Sequence, residues 1–142
     1  MTIKEIQDSI VEDFSLFDNW EDRYNFLIEM GRECPMIEEK YKDDAHRING
    51  CQSRVWLNAE LKDGKVYFSA DTDAVITKGI VYLLIKVFSG QTPQDILTAD
   101  LSFLDEIGLR EFLSPMRSNG LSAMLKQMLL YAEAFKLKEE QA

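Results

Sequence analysis

Cysteine and histidine are almost missing from this chain: Cys34, Cys51 and His46 are all it has. A structural zinc site ordinarily takes four Cys or His ligands, so these three cannot build one. The two cysteines form no CxxC pair, and a disulfide between them is disfavoured wherever thiols are kept reduced. Runs of basic residues are missing too. The 16 Lys and Arg face 25 Asp and Glu, for a formal net charge of −9. Nucleic acid and anionic membrane surfaces are bound through clustered cations, so neither is an expected partner, and the negative charge reads as solubility. Long apolar runs are also lacking. The longest, Gly79 to Phe88, is interrupted by Lys86 and is too short to span a bilayer. The N-terminus, MTIKEIQDSIVEDF, has no basic start followed by an apolar stretch and so does not resemble a signal peptide. The expectation is a soluble cytoplasmic protein.

Against these absences, apolar residues make up 46% of 142 residues, with 8 Phe and 5 Tyr. A chain of this length buries roughly 70% of its unfolded surface and needs no disulfide or metal to hold a core. With no repeat, low-complexity stretch or linker, one domain over 1–142 is expected.

Ile3, Ile6, Ile10, Phe14 and Phe17 recur at helical spacing and predict a helix over about 2–16. Thr2 is its cap, with Glu5 as the reciprocal partner. A second helix starts near Asp18 or Asn19, presents Tyr24, Leu27 and Ile28, and stops at Gly31. From Arg32 to Asn49 periodicity fades into a long connection, a kind of segment that often carries function. Ser53 to Leu61 then alternates, Asp63-Gly64 marks a tight hairpin, and Val66 to Ala70 is the returning strand. Asp73 to Phe88 reads as a buried helix ended by Gly90. Thr92-Pro93-Gln94-Asp95 opens another helix, 102–107 a short one, and about 118–137 the last, with Leu121, Leu125, Met128, Leu129 and Ala132 inward. Helices, a hairpin and more helices make an α+β fold, a small antiparallel sheet packed against helices.

The segment Ile48-Asn49-Gly50-Cys51-Gln52-Ser53-Arg54-Val55-Trp56 is where chemistry is concentrated. Cys51 stands where a connection enters a strand, and Gly50 leaves room beside its sulfur. A lone cysteine is more often a small buried hydrophobe than a nucleophile, so packing and reactivity both stay open on local grounds. Arg54 lies three residues on and, along a strand, on the opposite face, so it is not assigned as the activator of Cys51. Cys34, between Glu33 and Pro35, reads as packing at a helix end. His46 could pair with Cys51 in a hydrolase, but no second His or orienting acid completes such a site. Arg117-Ser118-Asn119-Gly120 reads first as a helix cap, with Ser118 or Asn119 at the N-cap, and second as a place for an anion. Asp71-Thr72-Asp73 reads as a strand-to-helix turn.

Taken in order, four blocks closely resemble the SufE family of sulfur-acceptor proteins: Asn19-Trp20-Glu21 with Tyr24; Gly50-Cys51-Gln52-Ser53-x-Val55-Trp56; Asp71-x-Asp73-Ala74-x-Ile76-x-Lys78-Gly79 with Gly90-x-Thr92-Pro93; and Leu113-Ser114-Pro115-x-Arg117-Ser118-x-Gly120-Leu121-x-Ala123-Met124. The resemblance implies a fold shared with IscU-like iron–sulfur scaffold proteins. It implies that Cys51 accepts persulfide sulfur from a SufS-like cysteine desulfurase, stimulates that enzyme, and passes the sulfur to a SufBCD-like assembly scaffold. It makes Gly50, Gln52, Ser53, Asp73 and Arg117 candidates for the active loop and partner docking. This chain would hold no cofactor or metal, pyridoxal phosphate belonging to the desulfurase, and would be a monomer or homodimer. It departs from the family at Met116, where Ser is frequent, and at Cys34, where an apolar residue is common. Two other readings stand beside this one: a metal-binding iron–sulfur scaffold of the related fold, and a regulator that docks a desulfurase without taking its sulfur.

Overall fold

A computed structural model describes residues 1–49, 53–109, 113 and 115–141, without the side chains of 115–119. Its first helix, α1 (Ile3–Ser15), begins on the predicted capping box: Thr2 Oγ1 accepts from the Glu5 N–H, and the Glu5 carboxylate accepts from the Thr2 N–H, both at 3.1 Å. Helix α2 (Trp20–Gly31) is capped by Asn19, whose side-chain oxygen accepts from the Asp22 N–H at 2.9 Å. Phe14 of α1 meets Phe26 of α2 edge to face at 5.2 Å.

The hairpin follows. Strand β1 (Val55–Lys62) pairs antiparallel with β2 (Lys65–Thr72), from Val55 opposite Thr72 to Lys62 opposite Lys65. Asp63 and Gly64 both take positive φ, 53° and 78°, as a two-residue turn matched to strand twist requires. Val55, Leu57, Ala59 and Leu61 share the inward face, as their alternation predicts. The first strand starts two residues later than its pattern suggested, because Ser53 lies in a bend.

The connection 32–49 does more than connect. Its residues pair with both sides of the hairpin. Ala70 N–H donates to Pro35 O and Ile37 N–H to Ala70 O, at 3.0 and 3.2 Å. On the other side, Ile48 N–H donates to Val55 O and Leu57 N–H to His46 O, at 2.9 and 3.0 Å. The rest of the outer edge of β2 is taken by the segment after the next helix: Val66 exchanges hydrogen bonds with Gly90 and Gln91, and Phe68 N–H donates to Ser89 Oγ.

Helix α3 (Val75–Phe88) is the buried axis of the fold. Ile80, Val81, Leu83, Leu84, Ile85, Val87 and Phe88 are each at most 2% exposed. It packs on α1, α2 and β2. Two short helices, α4 (Pro93–Leu97) and α5 (Phe103–Glu106), follow; Thr92 caps α4 through the Asp95 N–H, with Pro93 in its first turn. Helix α6 (Pro115–Glu140) closes the core with Leu121, Met124, Leu125, Met128 and Ala132. Its Tyr131 hydroxyl donates to Leu57 O at 3.1 Å, tying it to β1. This helix starts at Pro115, earlier than expected. Ser118 and Asn119 therefore lie within its opening turns rather than capping it, since proline is pre-organised for the first helical position.

The crossing of α2 and α3 is made by two glycines. A Cβ on Gly31 would stand 2.8 Å from the Gly79 nitrogen, and one on Gly79 would run into the Leu27 carbonyl. Neither neighbour is a flexible side chain, so the helices would have to part. Overpacking of this kind costs about 1–3 kcal/mol or more. Gly79→Ala is expected to fall at the upper end, seen as a lower urea midpoint with an unchanged slope.

Candidate functional site

The base of the Cys51 connection is built from described residues, although Gly50, Cys51 and Gln52 themselves lie outside them. The main-chain bond from Ile48 to Val55 closes the connection on itself, leaving 49–54 as the segment between paired positions. Ile48 is 5% exposed and Val55 fully buried, so burial of two apolar side chains supports the closure. Ser53 is half-buried in the bend that leads to Arg54.

Both arms of this connection are fastened to the end of β2 by carboxylates two residues apart. On the outgoing arm, Arg54 donates from its main-chain N–H to Asp73 Oδ1 at 3.2 Å and from Nε to Oδ2 at 3.0 Å. The guanidinium also lies over the Trp56 ring, 5.6 Å from its centre. The Arg54 hydrogen bond holds the Asp73 carboxyl below the usual carboxylate range. On the incoming arm, Lys42 Nζ meets Asp71 Oδ2 at 2.7 Å, and Lys78 of α3 approaches the other oxygen at 3.8 Å. The two pairs differ in solvent exposure. Asp71 is 16% exposed, whereas Asp73 is 45% exposed; exposed pairs are screened by salt and contribute little to stability.

Asp71 therefore serves as the inner fastening. Burial pushes its carboxyl up, but the Lys42 hydrogen bond, the Thr72 N–H and the charges of Lys42 and Lys78 outweigh that and hold it below the ordinary value.

The other cysteine is buried. Cys34 is 6% exposed. Desolvation, only partly offset by the Lys78 charge and reinforced by Asp71, pushes its thiol up to about 11. His46 does have an orienting acid, which the sequence did not show: its Nδ1 is hydrogen-bonded to Asp43 at 2.7 Å, and its ring packs on Tyr41, 4.9 Å between centres. Arg117 falls in the first turn of α6, and its side chain lies outside the described residues. Among the described residues no cluster of three His, Cys, Asp or Glu could hold a metal, and no helix is long and apolar enough to cross a membrane.

Sequence reasoning left Arg54 without a role and did not see Lys42 or the pairing of 46–48 with β1. The pattern Asp71-x-Asp73 at a strand end was a signal for the two fastenings, because residues two apart along extended chain share a face and can hold both arms of a segment that leaves there. The apolar Ile48 before a polar connection was a signal for the pairing.

A two-stranded antiparallel hairpin packed against helices, with a short connection closed at its base by the hairpin, defines a small α+β domain. The chain belongs to the SufE family, the Fe–S metabolism associated domain, whose model matches residues 8–132. It is 36% identical over 131 residues to an uncharacterized SufE-like protein of Rhizobium meliloti, covering 89% of this chain and 94% of that one. A SufE-like protein of Rhizobium etli, also described as uncharacterized, is 36% identical over 126 residues, covering 85% of each chain. The solution structure of a hypothetical protein from Thermus thermophilus has the same fold, with a TM-score of 0.76 at 24% identity, over 91% of this chain and 94% of that one. Membership in the family places the protein in iron–sulfur metabolism.

The depressed value of Asp71 has a consequence for stability. Its ionised form is favoured by folding, so its contribution is complete above the unfolded carboxyl value of about 4. That contribution is lost as pH falls through the lower folded value. Asp71→Asn should therefore melt below wild type at pH 7, and the gap should narrow steadily when both are melted down to pH 3.

Proposed function

We propose that Cys51 accepts sulfane sulfur from a SufS-like cysteine desulfurase and delivers it to a SufBCD-like scaffold for iron–sulfur cluster assembly. The observation that carries this reading is the connection 49–54, closed at its base by the Ile48–Val55 bond and fastened by Arg54 to Asp73. Within a family tied to iron–sulfur metabolism, such a base leaves a short segment holding one cysteine next to a glycine. Cys34, with its thiol raised to about 11, is a poor competitor for the role.

The chemistry is thiol exchange. The Cys51 thiolate attacks the terminal sulfur of the donor's persulfide. A new sulfur–sulfur bond forms at Cys51, the donor's sulfur–sulfur bond breaks, and the donor cysteine departs as thiolate. Sulfur changes carrier with no net oxidation or reduction. Pyridoxal phosphate remains with the desulfurase, where it serves release of sulfur from free cysteine. By emptying the donor cysteine, the acceptor raises the turnover of that enzyme. The Arg54 charge is already committed to Asp73, so activation of Cys51 falls to other groups, including backbone N–H donors of its own segment or of the docked partner.

Incubation with a SufS-type desulfurase and free cysteine, followed by intact-protein mass spectrometry, tests the reading. Wild type and Cys34→Ala are expected to gain whole sulfur increments, and Cys51→Ser none. Increments that persist in Cys51→Ser, or a wild type that gains none beside an active desulfurase, would sink it.

A further inference from the structure

The outward face of the hairpin is only half covered. Register puts Trp56 beside Asp71, Asn58 beside Ser69 and Glu60 beside Tyr67 on this face, opposite the one that carries Val55 and Leu57. The connection crosses part of it through Met36 and the 3₁₀ turn Glu39–Tyr41. Between the two lies a recess of about 150 Å³. Met36, Tyr41 and Tyr67 supply its apolar and aromatic walls, Asn58 is a nearly buried polar group within it, and Glu38 and Glu60 are its charged members. Met36 is 54% and Tyr67 43% exposed, and methionine and tyrosine are favoured contact residues at protein interfaces.

Aromatic faces beside carboxylates, with no cation among the lining residues, select a positively charged side chain. The chain itself gives an instance at the rim. Lys40 Nζ lies 3.4 Å from Glu38 Oε2 and 5.0 Å from the centre of the Tyr41 ring. Glu60 has no such partner among the described ion pairs. The overall charge of −9 favours approach of a basic surface over a long range. Position agrees with this. Asn58 and Glu60 lie three and five residues along β1 from Val55, so the recess is about 10–17 Å from the base of the Cys51 connection. A protein that reaches Cys51 can cover both.

We propose that this recess receives a lysine or arginine side chain of the protein that donates sulfur to Cys51, and anchors the two proteins while their sulfurs meet. The proposal rests on the sulfur-acceptor reading above. It assigns Glu60 and Tyr67 to affinity, with Glu38 and Tyr41, which Lys40 already engages, at the rim, and leaves the transfer step to Cys51.

The test pairs binding with transfer, using a purified SufS-type desulfurase as the probe. Glu38→Gln/Glu60→Gln and Tyr67→Ala are compared with wild type and with Glu12→Gln on α1, and circular dichroism melts confirm folding. Both recess variants are expected to raise the calorimetric Kd for the desulfurase and the KM for sulfur transfer about tenfold, with kcat within about twofold. The carboxylate variant should also show a shallower salt dependence of binding. Kd and KM equal to those of Glu12→Gln would overturn the proposal, as would a fall in kcat with KM unchanged. Altered sedimentation of the variants alone, with Kd for the desulfurase unchanged, would give the recess to a second copy of this chain instead and overturn it as well. If wild type takes up no sulfur, the acceptor reading fails, while the recess is still judged by Kd.

Discussion

The approach of Gly31 to Gly79 governs where the rest of the molecule lies. Because neither residue carries a Cβ, α2 and α3 meet backbone to backbone. That lets α3 sink into the middle of the core, where its apolar residues touch α1, α2 and β2. The depth of α3 in turn fixes what projects from its start. Asp73 lies just before it and Lys78 one turn inside it, and both help fasten the arms that flank Cys51. A contact between two backbones deep in the protein is thus connected, through one rigid helix, to the base of the candidate site.

Charge is arranged around that base in a graded way. Asp71 is nearly enclosed and shared by two lysines from different parts of the chain, which suits a permanent attachment. Asp73 holds Arg54 out in solvent, where water and salt compete for both groups. One arm of the connection is therefore held more firmly than the other. The same arrangement uses up the cation nearest to Cys51 in sequence. Arg54 is close to Cys51 in sequence, yet its charge faces a carboxylate.

Much of this fold was legible in the sequence because its elements obey local rules. The Thr2–Glu5 box, the Asn19 cap, the Asp63-Gly64 turn and the Thr92-Pro93 start all stand where short-range chemistry puts them. The connection 32–49 was not legible, because its structure comes from partners far along the chain. Met36 and Ile37 acquire their conformation from Ala70, and His46 and Ile48 from Leu57 and Val55. No periodicity in a polar stretch announces such pairings. The start of α6 was missed for a different reason: Ser118 and Asn119 are good caps, but Pro115 is a still earlier permitted start. At the site, setting and ordered motifs single out Cys51 as the proposed acceptor, and it lies outside the described residues. The fastenings of its connection were half legible: Asp71-x-Asp73 marks the two carboxylates, but Lys42 is brought to Asp71 only by tertiary structure.

A lone two-stranded ribbon is ordinarily a hazard, because each free edge can template another chain and start aggregation. Here the outward N–H groups of Val66, Phe68 and Ala70 are all satisfied from within the molecule, by Gln91, Ser89 and Pro35. Along β2, and along β1 as far as Leu57, the hairpin thus behaves as the middle of a wider sheet whose outer lanes are irregular chain. The hairpin that carries the Cys51 connection at one end is guarded along these stretches against edge-to-edge polymerisation without lengthening either strand.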